Sequence, residues 1–167
     1  MRRMAAELGC TVMTVYKYFP RKIDILQALW TLVFRTLFDE LDERARQQPD
    51  AITRLEVVAT GYVRFWLERR DHYFLVFMSS NVEQSDVSIY VQDDELIGRF
   101  AIFQTGISQA CTARLTEPEI KLRAELLLCS LNGIAHNLIT ISGFPWTEPA
   151  ALVQAAVRAA IQPNPCA

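Results

Sequence analysis

Apolar residues along this chain recur at helical spacing, and the alternation that marks a strand is hard to find. From about Lys22 to the charged run DELDERARQQ, one side carries Ile25, Leu29, Leu32, Val33, Leu37 and Leu41. Pro49 and Asp50 then break the pattern. Further helical patterns cover residues 51–70, 72–78, 89–114, 117–142 and 148–161. With two short candidates near the amino end, the pattern predicts an all-α fold of about eight helices.

Threonine and proline mark two helix starts in the second half of the chain. In LTEPEI, Thr116 is expected to cap a helix while Glu119 reaches back from the third position. In WTEPAA, Thr147 is expected to cap a helix with Pro149 in its first turn. The apolar segment HYFLVFM predicts a buried helix or, as the alternative, a core strand, and the polar run 79–88 predicts a loop.

The first 22 residues carry a separate signal. Ala5 and Leu8 share a helix face, Gly9 is a natural stop, and Thr11 is expected to cap a second helix that ends near Phe19. This spacing is typical of a helix-turn-helix. A second helix of about eight residues would be about 12 Å long, which matches a major groove about 12 Å wide.

Charge is distributed unevenly between this segment and the rest of the chain. Residues 1–22 hold five cations and one acid, a net charge of +4, whereas residues 23–167 hold 12 cations and 18 acids, a net charge of -6. A basic end on an acidic body suggests a polyanionic partner at that end alone. A solvated face of lysine and arginine explains the same charges without a partner.

The string MRRMAAELGCTVMTVYKYFPRKIDILQAL, residues 1–29, resembles the DNA-binding signature of the TetR family of transcriptional repressors. The resemblance implies a helix-turn-helix domain with its connecting helix over 1–45, and an effector-binding and dimerisation domain over 46–167. It places Thr11, Met13, Thr14 and Lys17 toward the groove of operator DNA. It also implies that Tyr16, Tyr18 and Lys22 contact phosphates, since phenol and ammonium groups suit phosphate oxygens.

Two features depart from the family pattern. Arg21 stands where the family usually has Ser, so we expect a weaker helix start with more positive charge. The family's module also has a helix before this signature, so the resemblance implies that the chain begins inside the second helix of the module. We therefore expect the apolar face of Met4, Leu8, Val15 and Phe19 to be partly exposed and DNA binding by these 167 residues to be weak. The alternative function is a dimeric small-molecule-binding protein that does not bind DNA.

Aromatic residues concentrate in the remainder of the chain. The resemblance implies an effector cavity there, where a small apolar or aromatic molecule would release the repressor from DNA. The candidate ligand-binding residues are Phe65, Trp66, Phe74, Phe77, Phe100, Phe103 and His136. Core packing is the plain alternative for each ring, and hydrogen bonding within the helix bundle is the alternative for His136.

The last two predicted helices carry many small apolar residues, which allow helices to approach closely. We expect a homodimer with a four-helix interface, built from Leu127, Leu131, Ile134, Leu138, Leu152, Ala156 and Ala159. The alternative is that these helices close the core of the monomer.

Other classes of function find little support in the sequence. No nucleophile-base set, metal cluster or phosphate loop is visible, so the sequence favours a non-enzyme without metal or cofactor. Cys10, Cys111, Cys129 and Cys166 are scattered and are interpreted as reduced thiols. No run reaches the roughly 20 apolar residues of a membrane span, and no secretory signal is visible, so we expect a cytoplasmic protein.

Overall fold

The computed structural model describes residues 2–79 and 94–162, and within them it contains nine helices and no strand. The predicted all-α fold is therefore confirmed. The helices are α1 Arg2–Glu7, α2 Val12–Tyr18, α3 Lys22–Arg46, α4 Ala51–Glu68, α5 Arg70–Phe77, α6 Asp94–Arg99, α7 Ala101–Ala110, α8 Glu117–Thr140 and α9 Pro149–Ile161.

Local capping explains several of the boundaries. Asp50 precedes α4, and its carboxylate accepts a hydrogen bond from the Thr53 N–H at 2.7 Å. Before α8, Glu119 accepts from both the backbone N–H and the hydroxyl of Thr116, each at 2.7 Å. These bonds satisfy amides that have no partner inside the first helical turn. The capping box predicted at Thr116 is confirmed.

Three details differ from the predictions. Residues 94–110 form two helices that meet at Phe100, where a single pattern over 89–114 predicted one. The HYFLVFM segment is helical within α5, but Tyr73 is the only buried residue of that helix. Helix α9 starts at Pro149 with Glu148 as its N-cap, so the predicted cap at Thr147 is wrong. Proline suits the first helical position, which makes the preceding residue the cap.

The loop predicted over 79–88 lies outside the described residues apart from Ser79.

The main core is formed where α3, α4, α7, α8 and α9 pack together. Leu37, Trp66, Ile107, Leu131 and Val157 are fully buried at its centre. Burial of such side chains contributes roughly 1.5–3 kcal/mol each. Helices α3 and α4 approach closely at Gly61, because a Cβ atom added there would lie 2.8 Å from Leu41 Cδ2.

Polar side chains tie the helices together around this core. The Trp30 indole N–H of α3 donates to the Leu75 carbonyl of α5 at 2.9 Å. Arg69 ion-pairs with Glu40 at 2.6 Å, and its guanidinium lies 4.4 Å from the centre of the Phe65 ring. Arg123 of α8 donates to the carbonyls at the end of α9, at 2.7 and 3.0 Å. These contacts fix both ends of the bundle.

The amino-terminal helices have their own small core. Ala5, Val15 and Ile25 form a cluster separate from the main one. Ile25 belongs to α3, which continues into the main core from Trp30 onward. The long helix α3 is thus shared by the head, defined as α1, α2 and the start of α3, and by the body that follows. No helix in the described ranges combines the length and apolar character needed to cross a membrane.

Candidate functional site

Helices α1 and α2 are joined by a tight turn whose geometry follows from the sequence. The Cys10 N–H donates to the Ala5 carbonyl at 3.0 Å, and the Gly9 N–H donates to the Ala6 carbonyl at 3.2 Å. These two bonds form a Schellman motif, which requires a left-handed residue at Gly9, where φ is 63°. The Thr11 hydroxyl then caps α2 by accepting from the Thr14 N–H at 3.1 Å. The predicted stop at Gly9 and cap at Thr11 are confirmed.

The residues predicted to contact DNA are all exposed. They are Thr11, Met13, Thr14, Tyr16, Lys17, Tyr18 and Lys22. Val15 is buried against the head core, and Phe19 is half-buried and packs against it. Met13 and Lys17 lie one helical turn apart on one side of α2, next to Tyr16. Met13 is 78% exposed and Tyr16 is 45% exposed on this side.

The other side of α2 borders an apolar groove with a volume of about 410 Å³. Thr14 and Tyr18 line it together with residues of α1 and α3: Met4, Leu8, Cys10, Val15, Phe19, Ile25, Ala28 and Leu29. Leu8 is 69% exposed and Met4 is 37% exposed. The expected exposure of the head's apolar face is confirmed for these two side chains, whereas Val15 is buried.

The charges of the head divide into paired and unpaired groups. Arg3 bonds to Glu7 at 3.0 Å, and Arg21 bonds to Asp24 at 2.7 Å. Within the described residues, Lys17 and Lys22 make no ion pair, which leaves two ammonium groups beside the exposed side of α2. The head therefore presents cations that an anion can approach without breaking an existing pair.

The start of α3 is capped in a way that the sequence reading missed. The Asp24 carboxylate accepts from the backbone N–H of Arg21 at 2.8 Å and from its guanidinium at 2.7 Å. The hydrogen bond from the Arg21 side chain is the main reason that the pKa of Asp24 is lowered. Asp24 thus binds both the backbone and the side chain of Arg21 at the start of α3, where a serine would cap through its own hydroxyl.

The aromatic residues predicted to bind a ligand pack mainly on one another. Phe65, Trp66 and Phe103 are buried, and Trp66 lies edge-on to Phe65 and Phe77 with ring centres 5.1 Å apart in each case. Phe100 is half-buried, 4.7 Å from Phe38. Phe74 and Phe77 are 45% and 41% exposed. These distances are those of directly packed rings.

His136 lies on the exposed side of α8, but its Nδ1 atom is 2.7 Å from the Tyr73 hydroxyl. Among the described residues, Tyr73 is the only aromatic side chain whose ring pairs with the His136 ring. His136 therefore links α8 to α5 at the edge of the aromatic cluster. This contact agrees with the alternative that His136 is hydrogen-bonded within the helix bundle.

A cavity of about 700 Å³ lies away from that cluster, between the end of α3, the start of α4, and helices α6 and α7. It is at the opposite end of α3 from the head. Its lining is Asp42, Ala45, Arg46, Gln48, Pro49, Arg54, Leu55, Val58, Glu95, Gly98, Arg99, Ala101, Ile102, Thr105, Gly106 and Gln109. Sequence reasoning missed this site because its residues come from four helices. The arginines and the two helical glycines were its only signal.

The residues predicted for a dimer interface divide between the inside and the outside of the monomer. Leu127 and Leu131 are buried in the main core, Ile134, Leu138, Leu152 and Ala156 are half-buried, and Ala159 is exposed. The large apolar residues that α8 exposes are Leu122 and Leu126, at 56% and 59%. Leu127 and Leu131 are therefore core residues of the monomer, whereas the other five predicted residues keep part of their surface exposed.

The described part of the chain contains no candidate metal site and no disulfide. No group of three His, Cys, Asp or Glu side chains there could hold a metal ion. Cys10, Cys111 and Cys129 are free thiols, and Cys166 lies outside the described residues.

Comparison with known proteins shows similarity in structure but not in sequence. No protein-family model matches the chain, and no curated protein matches its sequence. In structure it is similar to the crystal structure of "putative regulatory protein SCO4313", with a TM-score of 0.72 over 97% of this chain and 84% of that one. Sequence identity is 16%, so the match shows a shared fold. The chain has the all-α fold of that protein.

Proposed function

We propose that this chain is a ligand-responsive transcriptional regulator, acting as a repressor, that binds operator DNA through α1 and α2. One observation carries the proposal: a tight Schellman turn presents a short helix whose outer side exposes Tyr16 and Lys17, and Lys17 makes no ion pair with any described residue. The TetR-like signature and a fold shared with a protein described as regulatory support the same function.

The head has the dimensions and the chemistry for this role. The seven residues of α2 span about 10 Å, and the major groove is about 12 Å wide. Met13 and Lys17 would face base edges, while Tyr16 and Lys22 would contact phosphates. Lys22 is the first residue of α3, where free amides and the helix dipole add to its positive charge.

Response to a ligand would use α3. This helix begins in the head and ends at the wall of the 700 Å³ cavity, about 37 Å away for its 25 residues. A ligand in the cavity that favours one position of α3 would change the spacing of two heads in a dimer. Operator affinity then falls by the ligand's differential affinity for the two states. The cavity is a better candidate for the effector site than the packed aromatic cluster.

The proposed dimer would form through α8 and α9. Exposed Leu122 and Leu126 on α8, with exposed Ala151, Ala155 and Ala159 on α9, provide an apolar surface of mixed large and small residues. Two copies of such a surface related by a two-fold axis would pair helices from both subunits.

A second candidate is a dimeric ligand-binding protein that does not bind DNA. The open apolar groove beside α2 favours it, because the head core contains only three buried residues among those described. A head with so little burial has low local stability.

Enrichment of binding sites from a random 30-base-pair DNA library separates the two candidates. A regulator should enrich a two-fold-symmetric site whose halves are about 34–36 Å apart, one helical turn. Lys17→Ala should abolish the enrichment, whereas Lys121→Ala on α8 should leave it intact. Failure to enrich any sequence with a folded, dimeric protein would favour the second candidate.

A further inference from the structure

We infer that the cavity at the end of α3 binds a small amphipathic carboxylate, with the guanidinium of Arg54 as its anchor. This names the class of effector and rests on the proposed function for its regulatory consequence. Binding itself does not require that function. Three observations carry the inference: the partners of Arg54, the pairing of the other charges, and the apolar wall.

Arg54 is held in place by neutral acceptors. Its Nε donates to the Gln48 carbonyl at 2.9 Å, and its terminal nitrogens donate to the Pro49 carbonyl at 2.8 Å and to Gln109 Oε1 at 2.7 Å. A guanidinium has five N–H donors, so two remain. No carboxylate in the described part of the chain lies within 4.0 Å of Arg54.

No ion pair joins Arg54 to Asp50, which lies one helical turn before it. The Asp50 carboxylate is engaged with the Thr53 N–H at 2.7 Å, and the charge of Arg54 contributes least to the lowering of its pKa. Arg54 is therefore an oriented cation on the cavity wall whose charge is not matched by an ion pair.

The other arginines of the cavity are already paired. Arg99 bonds to Asp39 and to Asp42, both at 2.7 Å, and Arg46 bonds to Glu43 at 3.0 Å. An entering anion would have to compete with these carboxylates at Arg99 or Arg46. At Arg54 the anion would displace no carboxylate. The planar guanidinium also suits the two oxygens of a carboxylate.

The cavity also has an apolar wall, beside polar lining residues that include Asp42, Glu95 and Thr105. Leu55, Val58, Ala101 and Ile102 line it, and a Cβ atom added at Gly98 would meet nothing within 4 Å. A volume of about 700 Å³ lies within the range of roughly 300–1,000 Å³ for small-molecule sites. A ligand with an acid group at Arg54 and an aliphatic or aromatic body along this wall satisfies both parts of the cavity.

The test compares three probes of equal chain length by isothermal titration of the full chain: octanoate, 1-octanol and octylamine. We expect octanoate to bind at least about tenfold more tightly than either, a factor that corresponds to one good interaction. Arg54→Gln should remove this preference. Arg64→Gln, which removes an exposed arginine elsewhere on α4, should retain it.

A second variant tests the same cavity without changing Arg54, in case Arg54→Gln does not fold. Gly98→Phe adds a side chain on the cavity wall, where a Cβ atom would meet nothing within 4 Å, leaves Arg54 and its hydrogen-bond partners unsubstituted, and should weaken octanoate binding without lowering the melting temperature. Equal binding of octanoate and octanol, tighter binding of octylamine, or unchanged octanoate binding by Gly98→Phe would overturn the inference. Octanoate binding that leaves the affinity for an enriched duplex unchanged would instead contradict the effector role within the proposed function.

Discussion

The hydroxyl of Tyr62 on α4 donates a 2.7 Å hydrogen bond to the side-chain oxygen of Asn132 on α8. Burial raises the pKa of Tyr62, so the phenol stays protonated and remains a donor. Tyr62→Phe would leave the Asn132 amide without this partner at the edge of the core. We expect the free energy of unfolding to fall by about 1–3 kcal/mol, measured by urea denaturation.

The matched control for this bond is the double variant Tyr62→Phe with Asn132→Leu. Replacing both partners removes the unsatisfied amide, so the double variant should be more stable than Tyr62→Phe alone. A double variant whose loss equals the sum of the two single losses would show that the bond does not couple α4 to α8.

Gly98 and Gly106, which both line the cavity at the end of α3, should respond in opposite ways to substitution by alanine. Gly98→Ala adds a methyl group in open space, and alanine is favoured over glycine in a helix by about 0.5–1 kcal/mol. At Gly106 the new Cβ atom would lie 2.8 Å from Leu55 Cδ1, whose side chain is 1% exposed and has little room to move. Thermal denaturation should therefore show a raised melting temperature for Gly98→Ala and a lowered one for Gly106→Ala. A rise of equal size in both would contradict the close packing of α7 on α4.

Acid should weaken the start of α4. The hydrogen bond from the Thr53 N–H is the main reason that the pKa of Asp50 is lowered from its ordinary value of 3.8. Because the folded-state pKa is the lower one, the stabilisation is complete well above pH 3.8 and is lost as the pH falls through the folded-state value. Asp50→Asn keeps a good cap but does not titrate.

The measurement is the melting temperature of both proteins from neutral pH down to about pH 3, which lies below the ordinary pKa values of Asp and Glu side chains. The wild type should lose more stability over this range than Asp50→Asn. Asp24 and Glu119, whose pKa values are also lowered, titrate in both proteins and cancel in the comparison. Parallel curves for the two proteins would contradict the capping role of Asp50.

The proposed dimer makes Leu126 a sensitive position. Leu126 is 59% exposed on α8, so a charge there is tolerated in the monomer but would be buried and unpaired at a dimer interface. Leu126→Glu should elute as a monomer in size-exclusion chromatography with light scattering. Leu32→Glu, at a leucine that is 60% exposed on α3, should remain a dimer. A wild type that is monomeric at micromolar concentration would contradict this part of the account.

Sequence reasoning succeeded where the determinants are local. Gly9, Thr11 and the Thr116–Glu119 pair fix helix ends through contacts within a few residues, and the structure has them as expected. Thr116 and Thr147 are each followed two residues later by a proline, but only Thr116 has a glutamate three residues on, Glu119, to complete a capping box. Ala150 stands at that place after Thr147, and the N-cap is Glu148.

The exposed side of α8 and the cavity at the end of α3 were harder to predict, because both depend on which helix faces meet. Helix α8 carries leucines on several sides, so periodicity alone did not decide that Leu127 points inward while Leu126 stays exposed. The cavity joins Arg54 of α4 to Gly98 of α6, far apart in sequence. Of the aromatic residues predicted to bind a ligand, Phe65, Trp66 and Phe103 pack in the core, whereas Phe74 and Phe77 are 45% and 41% exposed.

The most direct test of the DNA-binding head is a fluorescence anisotropy titration of the chain with the enriched duplex and with a scrambled duplex of equal composition. We predict a preference for the enriched duplex of at least about tenfold, or about 1.4 kcal/mol. Lys17→Ala should remove this preference at constant salt. Equal affinity for the two duplexes, or a preference that survives Lys17→Ala, would contradict the assignment of α2 as the helix that reads DNA.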